Sequence, residues 1–538
     1  ILSKPVVLVS VGCLSIRFVI FHIYQSSCKD SLRKFVVLKK NLNIEVTMDE
    51  PVQIGDLPEE LLPHIFDNLP LQDLKNVSLV SRLWSQIAFS GRFMNRVLLK
   101  LDFRDGAPDL HRQYLLESSR AYRHIGFYYR SDQLDLGMLL EVLEKFEQSI
   151  VSLKICPNYF IMLAELRQIL VQVPNLESLY IVSRICPELG NREPMPPFPV
   201  MNKLKHLYLE NDGGLQLNEI DFRVMTPHIT SLDMDCDSER ALEVYTHFSE
   251  QLRELAVFFK RDDFFLPFCE LRFPKLEVLD FYSDDQQFDI PEAVRIVCAF
   301  FRRMPKLRRI TLRCNVNEEV LAVITENCPD LGTLYLKGDN LGAKSFRHLG
   351  QLKKLTSLKI EGWIRCNILQ DCKPIPSLDS MYLHSVLIDD TQGFFRLLKD
   401  VAPNLRILEA IESDIDDECL KYISCNIASL RSLLLEFCPN LTEDAFSFLD
   451  RLTNLHELKL GYLDVPHNLF ELIPKNSVRH LELYRCDKLD DAVLPLVAEK
   501  FPQLCYMEIA SCHKITLEGV DRIRALMPNA EIVSFMLF

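Results

Sequence analysis

The sequence predicts an α/β chain in which a small all-α module precedes a long solenoid, with a parallel sheet on the concave face and helices on the convex face. Three observations predict it. A short pattern, Leu-x-x-Leu-x-Leu, recurs with a period of about 25 residues, the signature of stacked repeats. The stretch after each copy usually has the apolar spacing of an amphipathic helix, as in Glu443 to Leu449. Finally, residues 57–88 place apolar side chains at helical spacing between proline punctuation marks.

Bulk properties set the class. The chain has 538 residues, 48% hydrophobic and 25% charged, the balance of a folded globular protein. A net charge of -14 opposes the phosphate neutralisation that nucleic-acid binding requires, so no nucleic-acid partner is expected. Seventeen cysteines occur without a C-x-x-C pair. Free cysteine packs as a small hydrophobe, so buried thiols in a reducing compartment are expected, cytoplasmic and/or nuclear.

The chain starts with Ile1, and its first methionine is Met48. Residues 5–24 are apolar, but Arg17 interrupts them at a cost of about 2.5–3.5 kcal/mol at the centre of a spanning helix. The expectation is that Met48 is the start and that residues 1–47 are a leader or not part of the native protein; no membrane is expected. The alternative is a real anchor. Without those residues the net charge becomes -19. The expected organisation is 1–47 leader, 48–100 helical module, 101–149 linker and N-terminal capping repeat, and 150–538 repeats.

In the module, Leu57-Pro58-Glu59-Glu60 is a helix start, with proline at a first helical position and acids in the first turn. Leu61, Leu62, Ile65, Phe66 and Leu69 follow at helical spacing, and Pro70 stops the helix. Leu71 to Leu74 open the next helix, with Asp73 as candidate cap, and Val77, Val80, Leu83, Trp84 and Ile87 continue the pattern. Three short helices bury little surface, so leftover apolar residues must face a neighbour or a partner.

This segment resembles the F-box. The positions are Leu57-Pro58, Glu60-Leu61, Ile65-Phe66, Leu69-Pro70, Asp73-Leu74 and Val80-Ser81-Arg82-Leu83-Trp84, with Ser81 where the family often has cysteine. The resemblance implies a Skp-type adaptor of cullin–RING ubiquitin ligases as partner. It divides Leu57, Pro58, Leu61, Ile65, Leu69, Leu74, Val80 and Trp84 between the adaptor face and the module's own core.

The repeats run from weak copies at Tyr122-Ile125-Phe127 and Ile150-Leu153-Ile155 to Leu504-Met507-Ile509 and Ala530-Val533-Phe535. Clear copies include Leu331-Leu334-Leu336, Leu430-Leu433-Leu435 and Val478-Leu481-Leu483. Two apolar residues around one polar residue make a short strand with one buried face. Several copies place a cysteine at the turn after the strand: Cys438, Cys486 and Cys512. This is similar to the cysteine-containing class of leucine-rich repeats, and the thiols are expected to cap backbone groups in the turns. No Cys or His spacing suits zinc, so no metal is expected.

Alternation puts the residues flanking each buried leucine on the open sheet face. Arg309, Arg313, Lys337 and Lys359, with Tyr335, form a basic strip suited to an acidic or phosphorylated segment. Tyr382 and His384 follow, and Glu482, Tyr484, Tyr506 and Glu508 would suit a basic peptide. The sequence does not choose between them, and a plain solvated face is the alternative to both. The acidic runs Asp414 to Glu418 and Asp490-Asp491 precede helices, where acids stabilise the N-terminus.

No catalytic residue and no cofactor are expected: nucleophile elbows, phosphate loops and zinc-protease motifs are missing from the sequence. A thioester-forming Cys512 beside His513 is the enzyme alternative, but the repeat already accounts for that cysteine. The resemblance therefore implies a non-catalytic substrate receptor, which joins a target protein to the ligase for ubiquitination and degradation. The alternative is a protein-interaction scaffold that uses the F-box in a different assembly.

Overall fold

The computed structural model describes residues 59–538 apart from 68, 70, 103–114, 119, 130–135, 158–159, 183, 187–195, 211–219, 261, 284–289, 340, 343–344, 365–367, 473–476 and 536–538. Leu57, Pro58 and Pro70 lie outside the described residues, as do Met48 and the expected leader. The chain divides into two compact units between His228 and Ile229.

The first unit begins with a 3-10 turn at Glu59–Leu61 and the helices Leu62–Phe66, Leu71–Val77, Arg82–Ala88 and Gly91–Met94. Ser81 ends the turn before the third of these helices, and its hydroxyl accepts the Trp84 N–H at 3.1 Å. The exchange of cysteine for serine therefore supplies an N-cap. Leu71 already belongs to the second helix, which places Asp73 inside its first turn and not at its N-cap position.

Five strands of the first unit form one parallel ladder: Leu98–Asp102, His124–Tyr129, Ser152–Pro157, Ser178–Val182 and His206–Glu210. Their inward residues, such as Ile125, Phe127, Leu153, Ile155 and Leu179, are fully buried. Amphipathic helices Leu136–Phe146 and Leu163–Val171 occupy the connections.

The second unit follows the same plan, with thirteen strands among its described residues, from Ser231–Asp235 to Glu531–Phe535, each pairing in parallel with its sequence neighbours in that unit. The Leu-x-x-Leu-x-Leu copies become rungs. In Ser432–Glu436, Leu433 and Leu435 point into the core, and Leu430 is buried in the turn before it. Parallel strands need a long return, and here it is a helix whose apolar face covers the strand leucines. Among these helices are Pro291–Arg302, Glu318–Asn327, Thr391–Val401, Asp417–Asn426 and Leu517–Leu526. The amphipathic helix expected at Glu443 to Leu449 is the segment Glu443–Arg451, which winds as 3-10 and buries Ala445, Phe446 and Leu449.

Two devices tie rungs together. Residues just after the strands, Glu412, Phe437, Tyr462, Arg485 and Ser511, adopt left-handed φ values of 48–54°. Each donates its N–H to the next rung, as from Tyr462 to the Tyr484 carbonyl at 2.8 Å. The second device is a carboxylate clamp. Asp417 accepts both the N–H and the hydroxyl of Thr442, at 2.7 and 2.5 Å, and Asp491 does the same for Thr516 at 2.7 and 2.6 Å. Gly519 is needed where Asp491 reaches in, because a Cβ there would lie 2.1 Å from its Oδ1. Among the described residues, no helix is long and apolar enough to cross a membrane.

Candidate functional site

The helical module fills its own core with Leu62, Phe66, Leu69, Leu74, Val77, Trp84, Ala88 and Phe93. Trp84 meets Phe66 edge-on at 5.3 Å between ring centres, a favoured aromatic geometry. Leu69, Leu74 and Trp84, from the sequence-derived set, are thus structural. Ile65 and Val80 are half-buried against that core, and Leu61 is half-buried. Arg92 pairs with Asp67, and Arg96 donates to the Leu69 carbonyl at 2.8 Å, which fastens the end of the module to its first helix.

Among the described residues of these helices and the turns between them, two large apolar side chains remain outside. Leu79 is 85% exposed and Leu71 40% exposed. Sequence reasoning placed Leu71 only at a helix start and passed over Leu79. Leu79 sits in the turn between helices Leu71–Val77 and Arg82–Ala88, out of phase with the core series 77, 80, 84. A leucine placed in a turn with no core to join is the signal that would have found it.

On the sheet face of the second unit, the structure divides the basic strip. Arg309 faces Asp280 at 3.6 Å, and Lys337 faces Asp339 at 3.5 Å. Arg313 lies over the rings of Tyr282 and Tyr335, at 5.4 and 5.1 Å, and Lys359 lies 4.6 Å from the Tyr335 ring centre. Tyr335 itself is only 7% exposed, and its hydroxyl donates to Glu361. Burial and then the Glu361 charge raise the Tyr335 phenol above its usual range. Burial and the neighbouring Arg313 push the Lys359 ammonium down. Tyr382 packs beside His384, whose ring faces Glu409 at 3.6 Å.

Toward the C-terminal rungs, Glu482 is not a free acid. Lys459 bridges Glu457 and Glu482 at 3.0 and 3.3 Å, and His480 lies 2.6 Å from Glu482. The His480 ring stacks on Tyr506 at 4.5 Å, and the Tyr506 hydroxyl donates to Glu508 at 2.6 Å. Glu457, His480 and Glu482 bring possible metal ligands within 4.8 Å of one another. The Lys459 ammonium already bridges both carboxylates, however. Partial burial works against its charge, yet the bonds to Glu457 and Glu482 hold its pKa up. A cation would have to displace it.

The residues after the strands were missed entirely, because alternation was counted only inside each strand. Phe437 stacks on Tyr462 at 3.6 Å, and Tyr462 lies 5.3 Å from Tyr484. Their shared signal is position: Phe437, Arg485 and Ser511 each stand directly before a turn cysteine. Those thiols cap backbone as expected. Cys438 Sγ donates to the Ala410 carbonyl at 3.5 Å, Cys486 to Leu460 at 3.4 Å, and Cys512 to Leu483 at 3.6 Å. Cys512 is fully buried, which removes it as a nucleophile for an external thioester.

A family model described as F-box-like matches residues 54–100, and those residues form an F-box-like domain. No curated protein matches the chain. Among solved structures, the chain is similar to that titled "Crystal structure of Rad7 and Elc1 complex in yeast", at 18% identity and TM-score 0.36, over 55% of this chain and 72% of that one. It is similar to an internalin from Listeria monocytogenes at 15% identity and TM-score 0.28, over 63% and 81%. It is also similar to TLR13 in a complex with ssRNA13, at 14% identity and TM-score 0.40, over 81% and 72%.

Proposed function

We propose that the chain is a substrate adaptor: the F-box-like module docks on a Skp-type adaptor of a cullin–RING ubiquitin ligase, and the repeat face captures a target protein. Its mechanism is proximity. Lysines of the captured target are held near activated ubiquitin, so their effective concentration rises with no catalytic residue in this chain. Ubiquitination and degradation of the target in the cytoplasm or nucleus would follow.

The observation that carries this reading is the F-box-like match at 54–100 on a module whose core is complete without Leu79. Leu79 is 85% exposed and adds nothing to that core. A partner explains it. Leu71, Leu61 and the half-buried edges of Ile65 and Val80 are proposed to share that contact, together with Leu57 and Pro58.

Co-purification of the full chain with a Skp-type adaptor tests the proposal. Leu79→Glu is expected to cut adaptor capture at least tenfold while leaving thermal unfolding unchanged, because the side chain supports no core. A Leu57→Ala/Pro58→Ala double variant is expected to lose capture as well. Undiminished capture by Leu79→Glu would remove this residue from the interface, and failure of the parent chain to bind the adaptor would sink the reading.

A further inference from the structure

The sheet face of the second unit holds two like-charged pairs that the fold leaves without ionic partners. The first is Arg313 with Lys359. Both lie against the ring of Tyr335, at 5.1 and 4.6 Å from its centre. Their neighbours Arg309 and Lys337 each face an aspartate, but among the described residues neither Arg313 nor Lys359 has a carboxylate within ion-pairing distance. Burial and then the Arg313 charge depress the Lys359 ammonium, while the Glu361 and Glu409 charges act against that shift without outweighing it.

The second pair is Glu436 with Glu412. Glu436 is half-buried, and its carboxylate has no hydrogen-bond or ion-pair partner among the described residues. Its register neighbour is Gly461, and a Cβ there would lie 2.9 Å from Glu436 Cγ. Glycine is what allows the glutamate to lie across the next strand. Burial and then the Glu412 charge push the Glu436 carboxyl up. Glu412 is itself held by the Ser385 hydroxyl at 2.7 Å. Phe437 and Tyr462, stacked at 3.6 Å, supply ring surface at the two residues that follow Glu436 and Gly461.

Between the pairs lies one imidazole–carboxylate contact, whose Glu409 charge reaches Lys359 and whose His384 charge reaches Glu436. Strands Ser380–Ile388 and Ile407–Ile411 present Tyr382 and Ile411, while His384 and Glu409 face each other. Lys359 and Glu436 stand three rungs apart and are offset by two residues along the strands. With rungs about 4.8 Å apart and a rise of about 3.3 Å per residue, the diagonal is roughly 16 Å. An extended chain covers that distance in about five residues.

We propose that this face binds an extended segment of a partner protein. An acidic side chain of the segment is received by Arg313 and Lys359, and a basic side chain about five residues away by Glu436 and Glu412. This deepens the adaptor reading by naming the chemistry of the captured segment, and rests on that reading for its biological sense. A uniformly acidic or uniformly basic segment fits less well, because one of the two pairs would then face its own sign.

The test uses the full chain and a pooled library of extended peptides. Each peptide has one Glu and one Lys, at every spacing from adjacent to nine apart and in both orders, among randomised uncharged residues. Enrichment is expected to peak at spacings of four to six, roughly tenfold above the others. Lys359→Gln is expected to abolish the preference for the Glu, and Glu436→Gln the preference for the Lys. Glu436→Lys should enrich peptides of a companion library in which both charged residues are Glu, which the parent chain does not enrich. A flat spacing profile overturns the proposal, as does a peak that neither glutamine variant alters. Adaptor capture is measured on the same preparations. Retained capture with a flat profile sinks this inference alone, and lost capture with the peak intact sinks only the adaptor reading.

Discussion

The helical module and the rungs of the second unit bury the same kinds of residue by opposite means. The module has one small core in which every member is unique: Trp84 packs on Phe66, and Phe66 in turn on Phe93. In the rungs, Leu408, Leu433, Leu458 and Leu481 occupy one register line, each fully buried between copies of itself. A unique core fails as a unit, whereas a stacked core shares a loss with its nearest neighbours. The largest expected effect follows from this. Trp84→Ala removes about 3–5 kcal/mol, comparable with all the stability a module of this size possesses. Leu433→Ala removes about 2–5 kcal/mol from a much larger store. Hydrogen exchange should therefore show Trp84→Ala erasing protection across residues 59–97 and abolishing adaptor capture. Leu433→Ala should lower the unfolding temperature with capture intact. Lost capture in Leu433→Ala would break the comparison.

The same contrast governs what could be read from the sequence. Repetition made the rungs legible: the strong Leu-x-x-Leu-x-Leu copies became parallel strands, and so did the weak copies at 122–127 and 150–155. The copy Ala530-Val533-Phe535 is a strand read one residue out of register: Ile532, not Val533, pairs with Met507 and is buried, and Phe535 is exposed. The turn thiols were legible for the same reason, since Cys438, Cys486 and Cys512 recur at one place in the period. What depends on a single contact was not legible. Nothing in the alternation says that Arg309 and Lys337 are neutralised while Arg313 and Lys359 are not, because that rests on an aspartate across the rung for Arg309 and one two residues on for Lys337. Nor does alternation reach Phe437 or Tyr462, whose left-handed backbone takes them out of the strand's period. In the module, helical spacing identified the apolar set but could not divide core from surface. Leu79 escaped because the pattern sought only residues in phase.

A second effect lies between rungs. Asp491 joins its own helical turn to Thr516 of the next repeat and also meets Arg522 at 3.0 Å. Its carboxyl is pulled below the usual range: burial works upward, but the Thr516 bonds and the Arg522 charge outweigh it. A depressed pKa means that the clamp stabilises the fold above the ordinary aspartate range, near 4, and that this contribution is lost as pH falls through the lower folded value. Asp491→Ala is expected to cost about 1–2 kcal/mol at neutral pH and nearly nothing in strong acid. A pH series of chemical denaturation on both chains checks this. A difference that persists in acid would mean that the cost comes from packing rather than from the charge.

The smallest effect separates backbone strain from side-chain contact within one line of equivalent residues. Ser511 and Tyr462 have nearly the same left-handed φ, 54° and 51°, and each donates its N–H to the next rung. For an L-residue that conformation costs about 1–2 kcal/mol, which glycine does not incur. Glycine also has more freedom to lose on folding, about 0.5–1 kcal/mol. Ser511→Gly should therefore be neutral or stabilising by up to about 1 kcal/mol. Tyr462→Gly gains the same relief but gives up the ring that stacks on Phe437 at 3.6 Å and packs beside Tyr484. An aromatic pair is worth about 0.5–1.5 kcal/mol beyond its buried area, so the sign should reverse. Denaturation midpoints of the two variants decide it. If both move the same way, the left-handed residues are set by the ladder alone. If they diverge, the aromatic ledge stabilises the rungs as well as lining the face where the basic end of a bound segment is proposed to lie.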